Sequence, residues 1–174
     1  HFRAMSERHK DRHEALVRVG DLLRGQEKYQ EAIAAYDAAM ARIDQGTGAN
    51  WTLYYVRGIA HERAKQWALA ESDFQKALAL QPEQPLVLNY LAYSWIDQDI
   101  KLDEAHEMIE RAVAQRPTDG YIVDSLGWVL YRKGRFEDAV RQLERAIELQ
   151  PNDPVINDHL GDAYWQVGRR LEAR

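Results

Sequence analysis

The sequence predicts an all-α fold in which antiparallel helix pairs stack into a solenoid. The first observation is a column of small residues separated by 38, 34, 35 and 34 residues. The second is an alanine column that follows each of these positions by 12 or 13 residues. The first column holds Gly20, Gly58, Ala92, Gly127 and Gly161, and the second holds Ala32, Ala70, Ala105, Ala139 and Ala173. The third observation is that apolar residues recur at three- and four-residue spacing around both columns, as in amphipathic helices. Self-similarity at such a period is typical of repeat proteins.

The two columns divide the chain into repeats of one solenoid domain. We expect an N-terminal tail or helix extension over residues 1–12 and four full repeats after it. Their ranges are 13–50, 51–84, 85–119 and 120–153. Residues 154–174 then form a truncated fifth repeat with its first helix only. Three repeats end at a proline, at Pro82, Pro117 and Pro151, as expected where a second helix must stop.

Each full repeat is predicted to contain two helices joined by a short turn. In the fourth repeat, Val123, Leu126 and Leu130 mark the first helix, and Ala139, Val140 and Leu143 mark the second. Glycine inside a helix costs about 0.5 to 1 kcal/mol relative to alanine, so a glycine column needs a reason. We expect it to face the alanine column and to allow close helix contact. Extra residues are placed in the connections 97–101 and 44–50.

Composition excludes several classes of protein. The net charge of −5 offers no general field for phosphate backbones, so we expect no nucleic-acid partner. With no cysteine, the chain has no disulfide framework and no cysteine metal site. Its apolar runs are too short to span a bilayer, so this part of the chain is not expected to insert into a membrane. Cytoplasm and periplasm both stay open.

No residue pattern predicts catalysis, a cofactor or a metal ion. His9 and His13 have the spacing of a helical metal clip, but no third ligand lies nearby and their neighbours are basic. Asp158-His159 and Asp124-Ser125 could be parts of a triad, yet adjacent residues point apart on a helix. His61 lies in an apolar stripe and is predicted to be a hydrogen-bonded core histidine. The chain is therefore predicted not to be an enzyme.

The motif Leu160-Gly161-x-x-Tyr164, with Leu126-Gly127 and Pro151 in the preceding repeat, resembles the tetratricopeptide repeat. The resemblance covers residues 13–174 and implies a right-handed superhelix whose first helices line a concave face. Residues 124–165 also resemble the C-terminal part of larger proteobacterial repeat proteins, some of which are exported or lipid-anchored. Four positions depart from the family pattern: Asp44 replaces proline, Arg57 replaces leucine, and His61 and Arg170 replace aromatic residues.

The resemblance also implies which side chains face the concave groove. They are rich in aromatic and acidic types, which suits an apolar or basic segment through burial and cation–π contact. The candidates are Tyr55, Ile59, Asn89, Tyr90, Tyr93, Tyr121, Asp124, Trp128, Tyr131, Asp158, Asp162 and Trp165. The Lys, Asn and Arg positions with which some chaperone adaptors of this family grip a carboxylate are not matched. Replacing Trp128 and Tyr131 is expected to weaken binding and to change stability little.

These observations predict a non-catalytic scaffold that binds an extended or helical protein segment in its groove. Two alternatives stay open: a structural or oligomerisation segment of a longer repeat protein, and an accessory region of an enzyme whose active site lies elsewhere. At the C-terminal end, Leu160, Tyr164 and Val167 should face a second helix that the fifth repeat lacks. An uncovered apolar patch there predicts self-association, as a homodimer.

Overall fold

The computed structural model describes residues 2–43 and 50–173, with side chains from residue 13 onward. Within these residues it contains nine helices and no strand, which confirms the predicted all-α fold. The helices are α1 (Phe2–Gly25), α2 (Tyr29–Met40), α3 (Trp51–Arg63), α4 (Trp67–Leu80), α5 (Pro85–Asp97), α6 (Leu102–Gln115), α7 (Gly120–Arg132), α8 (Phe136–Leu149) and α9 (Pro154–Gln166). The predicted insertion after the first repeat falls mainly on residues 44–49, outside the described residues.

The chain divides into two compact units, His1–Pro82 and Glu83–Arg174. In the N-terminal unit α1 pairs with α2 and α3 pairs with α4. In the C-terminal unit α5 pairs with α6 and α7 with α8, and α9 packs on both α7 and α8. We call α1, α3, α5, α7 and α9 the first helices and the others the second helices. The division into five repeats of one domain stays a prediction.

Local sequence explains where several helices begin. Pro85 and Pro154 stand in the first turn of α5 and α9, where a proline costs no hydrogen bond. At α9 the Asp153 carboxylate accepts hydrogen bonds from the backbone N–H of Val155 and Ile156, at 2.9 and 3.1 Å. These bonds satisfy two of the donors that every helix leaves unpaired at its N-terminus.

The short turn that follows each first helix contains at least one residue with positive φ, and after α5 these are Asp99 and Lys101. Glu27 and Lys65 adopt φ values of 61° in the N-terminal unit, and Gly134 and Gly168 adopt 74° and 82° in the C-terminal unit. Only glycine enters this region without a steric penalty. Gly134 and Gly168 therefore adopt positive φ at a lower steric cost than Glu27 and Lys65 do.

Gly134→Ala is expected to lower the free energy of unfolding by about 1 kcal/mol, since a Cβ is disfavoured at positive φ. Gly25→Ala is the matched control, because Gly25 does not have positive φ and a Cβ there would meet nothing within 4 Å. Urea denaturation of both variants measures the difference. Equal stability of the two would show that the turn imposes no such cost.

Three glycines of the first column face large side chains, which corrects the expectation that the column faces alanine. A Cβ built on Gly20 would lie 2.4 Å from the Tyr36 ring, and one on Gly58 would lie 2.7 Å from the Phe74 ring. Gly127 faces Leu143 in the same way, at 2.5 Å. At these three positions the missing Cβ makes a hole that a bulky residue of the second helix fills. In the alanine column, Ala32, Ala70, Ala105 and Ala139 are buried.

Candidate partner-binding surfaces

The first helices of the C-terminal unit lie side by side, because α7 contacts both α5 and α9. This layer holds the predicted groove residues from Asn89 to Trp165. Their exposure differs strongly along the layer. Tyr121 on α7 is 55% exposed and Trp165 on α9 is 57% exposed. Asp158 and Asp162 are also exposed, whereas Asn89, Tyr90 and Tyr93 on α5 are half-buried.

Asp124 is not available at this surface, although the sequence predicted it there. It is 5% exposed, and its Oδ1 lies 2.9 Å from Nδ1 of the buried His159 on α9. This pair joins α7 to α9 and was not predicted from sequence, where only neighbours on the same helix were considered. Asp124 and His159 are 35 residues apart, one more than the repeat length of 34. This spacing was the sequence signal that could have indicated the pair. The Ser125 hydroxyl, next to Asp124 in sequence, donates a hydrogen bond to the Tyr121 carbonyl at 3.0 Å.

Trp128 is stacked against two other rings. Its ring lies 4.1 Å from that of His159, at an interplanar angle of 9°. It lies 4.8 Å from that of Tyr131, at 7°. Gln166 on α9 donates a hydrogen bond to the Tyr131 hydroxyl at 3.4 Å. Both Trp128 and Tyr131 are half-buried, so they join α7 to α9 as well as lining the layer.

This geometry changes the expected effect of removing Trp128. Trp128→Ala should lower the free energy of unfolding by about 1 to 2 kcal/mol, since stacked aromatic pairs each contribute about 0.5 to 1.5 kcal/mol. Trp165→Ala, on the exposed face of α9, should leave stability nearly unchanged. Chemical denaturation of the two variants tests this, and a Trp128 variant as stable as the Trp165 variant would contradict it.

The predicted groove residues of the N-terminal unit belong largely to its packed interior. Ile59 is 5% exposed, and the half-buried Tyr55 ring lies 6.4 Å from the ring of Phe74 on α4. On α1, Asp21 accepts a hydrogen bond of 2.8 Å from the Tyr36 hydroxyl. Burial is the largest of the effects that raise the pKa of Tyr36 to about 12.

Arg57 departs from the family pattern because it is part of an ion-pair cluster. Its guanidinium binds both oxygens of Asp73, at 2.7 and 2.6 Å, and Oδ1 of Asp37 at 2.5 Å. Burial opposes the charged guanidinium, but the bonds to Asp73 and Asp37 outweigh it and raise the pKa of Arg57. Asp73 is only 2% exposed, so the substitution of arginine for leucine is matched by a buried carboxylate on α4.

His61 lies in the core beside this cluster, as predicted. It is buried, with Nδ1 2.6 Å from the Gln66 side-chain oxygen and Nε2 3.8 Å from the Asp73 carboxylate. The predicted core histidine is therefore confirmed. Of the His9–His13 pair, the side chain of His9 lies outside the described residues. Among the described residues no group of three metal-ligating side chains is found, and no described helix is long and apolar enough to cross a membrane.

The C-terminal end is more covered than the sequence predicted. Leu160 is buried, and Tyr164 and Val167 are half-buried. The Tyr164 hydroxyl donates to Glu144 at 2.9 Å, and the Arg169 guanidinium lies 4.1 Å from the Tyr164 ring centroid. Gly161 still faces no side chain among the described residues, since a Cβ there would meet only the Ala173 carbonyl oxygen, at 3.7 Å. The hole filled at Gly127 is therefore open at Gly161.

Three family models match overlapping or successive parts of the chain. Two described as tetratricopeptide repeat match residues 11–83 and 55–120, and one described as TPR repeat matches residues 127–168. The chain belongs to the tetratricopeptide repeat family. Tetratricopeptide repeats serve in general as protein-interaction scaffolds, and the chain carries them along most of its length.

The chain is also similar to one curated protein and to two solved structures. A TPR repeat-containing protein of Pseudomonas aeruginosa is 36% identical over 87 residues, which are 50% of this chain and 15% of that protein. The solved structure of PilF of Pseudomonas aeruginosa has a TM-score of 0.79 at 17% identity, over 95% of this chain and 73% of that one. MamA of Desulfovibrio magneticus has a TM-score of 0.76 at 18% identity, over 94% and 89%. These two structures show the tetratricopeptide fold.

Proposed function

We propose that this tetratricopeptide repeat protein is a non-catalytic scaffold that binds an apolar or basic protein segment on the first helices of its C-terminal unit. The observation that carries the proposal is that one layer of first helices exposes the aromatic rings of Tyr121 and Trp165 and the carboxylates of Asp158 and Asp162. Exposed aromatic rings are common energetic centres of protein interfaces. Carboxylates beside them favour partners that carry lysine or arginine.

Binding should respond to ligand charge and to salt. A basic peptide should bind more tightly than an acidic version of the same peptide, and its affinity should fall as salt rises, because exposed charges are screened over about 8 Å at physiological ionic strength. Isothermal titration calorimetry at two salt concentrations measures both effects. Equal affinity for the acidic and basic versions would contradict the charge preference.

The aromatic contribution is tested separately. Trp165→Ala and Tyr121→Ala should each weaken binding of the basic peptide about tenfold, which is about 1.4 kcal/mol. Leu69→Ala, an exposed apolar residue of α4 in the other unit, is the control and should have no effect. If a variant that lacks both rings binds the basic peptide with full affinity, this surface is not the binding site.

We also propose self-association through the C-terminal end, around Leu160, Tyr164 and Val167. The space beside Gly161 is open, whereas the space beside Gly20, Gly58 and Gly127 is filled by a bulky side chain. This open space favours self-association. Light scattering across the micromolar range should detect dimers, and Val167→Asp should reduce them. A monomer throughout that range would contradict the proposal.

A further inference from the structure

Helix α6 carries a histidine, His106, that faces the turn between α7 and α8. Its side chain is only 14% exposed, and α6 packs on α7 as well as on its pair partner α5. Nδ1 of His106 lies 3.5 Å from the Lys133 ammonium nitrogen, and Nε2 lies 3.5 Å from the Glu110 carboxylate. A side chain that titrates near neutral pH thus lies between a cation of the next helix pair and a carboxylate of its own helix.

These two neighbours determine which form of the His106 ring fits. An ammonium group only donates hydrogen bonds, so Nδ1 has to accept one and carries no proton. An ionised carboxylate only accepts, so the proton of the neutral ring lies on Nε2, towards Glu110. Protonation of Nδ1 would place a second positive charge beside the Lys133 ammonium, whose side chain is itself only 21% exposed. The contact between His106 and Lys133 therefore requires the neutral ring.

Lys133 belongs to a set of contacts, which we call the α7 joint, that ties the end of α7 to the α5–α6 pair. Besides its contact with the histidine, Lys133 lies 2.7 Å from the Asp103 carboxylate of α6. The preceding Arg132 donates a hydrogen bond of 2.9 Å to the Ile96 carbonyl and lies 3.0 Å from Asp99. Aspartate, lysine and arginine ordinarily keep their charges between about pH 5 and pH 8. The histidine is the member of the joint that changes its charge in that range.

Charged groups of α6 and of the α7–α8 turn act on His106 together. Burial is the largest of the effects that lower the pKa of His106, and the Lys133 and Arg135 cations lower it as well. The Glu110 and Asp103 carboxylates raise it without compensating. The folded chain therefore holds the ring neutral more strongly than the unfolded chain does. Its contribution to stability is present above about pH 6.5, the ordinary histidine pKa, and is lost as the pH falls.

We propose that His106 makes the α7 joint acid-sensitive: protonation of the ring drives Lys133 away from it and loosens the α7–α8 pair from the α5–α6 pair. The bond to Asp103 then holds Lys133 only weakly, because the Asp103 side chain is 87% exposed and water competes for it. The joint lies within the C-terminal unit and does not depend on which partner the chain binds.

Urea unfolding of the 174-residue chain at about pH 7.5 and at about pH 5 tests the proposal. The matched variant is His106→Gln, whose side-chain oxygen still accepts a hydrogen bond from Lys133 but does not titrate. On acidification the unfolding midpoint of the wild-type chain should fall further than that of His106→Gln. The buried His61 and His159 are present in both chains, so the effect of their protonation cancels in the comparison.

NMR titration of the histidine rings gives a readout that a merely structural role would not move. The His106 signal is assigned by its absence from His106→Gln. Lys133→Gln removes the neighbouring cation, so the titration midpoint of His106 should rise. Lys28→Gln makes the same charge change on an exposed lysine of the N-terminal unit and should leave the midpoint unchanged. Lys133→Gln should also lose less stability on acidification than the wild-type chain, which keeps the test available if His106→Gln does not fold.

Two results would overturn the inference. If His106→Gln and the wild-type chain lose the same stability on acidification, other groups are responsible for the acid sensitivity. If the titration midpoint of His106 is the same in the wild-type chain and in Lys133→Gln, the ammonium group does not control the charge of the ring. Either result leaves the proposed binding surface on the first helices untouched, because that surface is tested by peptide affinity.

Discussion

Arg57→Leu should lower the free energy of unfolding by about 3 to 5 kcal/mol, although leucine is the residue that the family places in this column. The reason is Asp73, whose carboxylate is 2% exposed and is bound by the Arg57 guanidinium through two hydrogen bonds. Without the arginine, a buried charge loses its principal partner. Asp37 loses a partner too, but its side chain is 55% exposed and water replaces the contact.

The chain offers the compensating pair for this experiment. In the third repeat the positions equivalent to Arg57 and Asp73 are occupied by Leu91 and Met108, which are both apolar. The double variant Arg57→Leu with Asp73→Met should therefore regain most of the lost stability, because apolar residues of similar size replace buried ion pairs at little cost. Urea denaturation of both single variants and the double variant measures the coupling. Additive losses would mean that the two side chains act independently.

Gly127→Ala should destabilise the C-terminal unit by about 3 kcal/mol, the upper end of the usual cost of overpacking. The new Cβ would lie 2.5 Å from Cγ of Leu143 and 3.3 Å from its backbone nitrogen. Leu143 is fully buried, and the backbone of α8 has to move if its side chain cannot.

Gly161→Ala is the matched control, because Gly161 occupies the same column one repeat later. Its Cβ would make only an ordinary contact with the Ala173 carbonyl oxygen, at 3.7 Å. The substitution should stabilise α9 by about 0.5 to 1 kcal/mol through helix propensity alone. Thermal and urea unfolding should thus shift in opposite directions for the two variants. If both variants shift in the same direction, Leu143 does not fill the space beside Gly127 as tightly as we infer.

The helical fold and the register of its pairs are readable from the sequence. The column from Gly20 to Gly161 and the apolar spacing around it depend on local periodicity, which each helix expresses by itself. The pattern indicated that glycine marks close helix contact. It did not show that the opposing residue is Tyr36, Phe74 or Leu143, since a column shows recurrence and not which side chain points into the gap.

Ion pairs between helices were not predictable in the same way. Arg57 was recognised as a departure from the family pattern, but its partners Asp37 and Asp73 lie 20 and 16 residues away. Acidic residues are numerous in this chain, and only the packing of α2, α3 and α4 selects these two. His61, by contrast, could be assigned to the core because it lies within an apolar stripe.

The sequence by itself determined which residues occupy equivalent places in the repeat, and Asp124 and Asp158 are such a pair. Only the tertiary structure decided that the first is buried against His159 while the second is exposed on α9. The physical reason is that exposure depends on whether another helix packs on that face. Helix α9 packs on α7, and among the described residues no further first helix packs on α9.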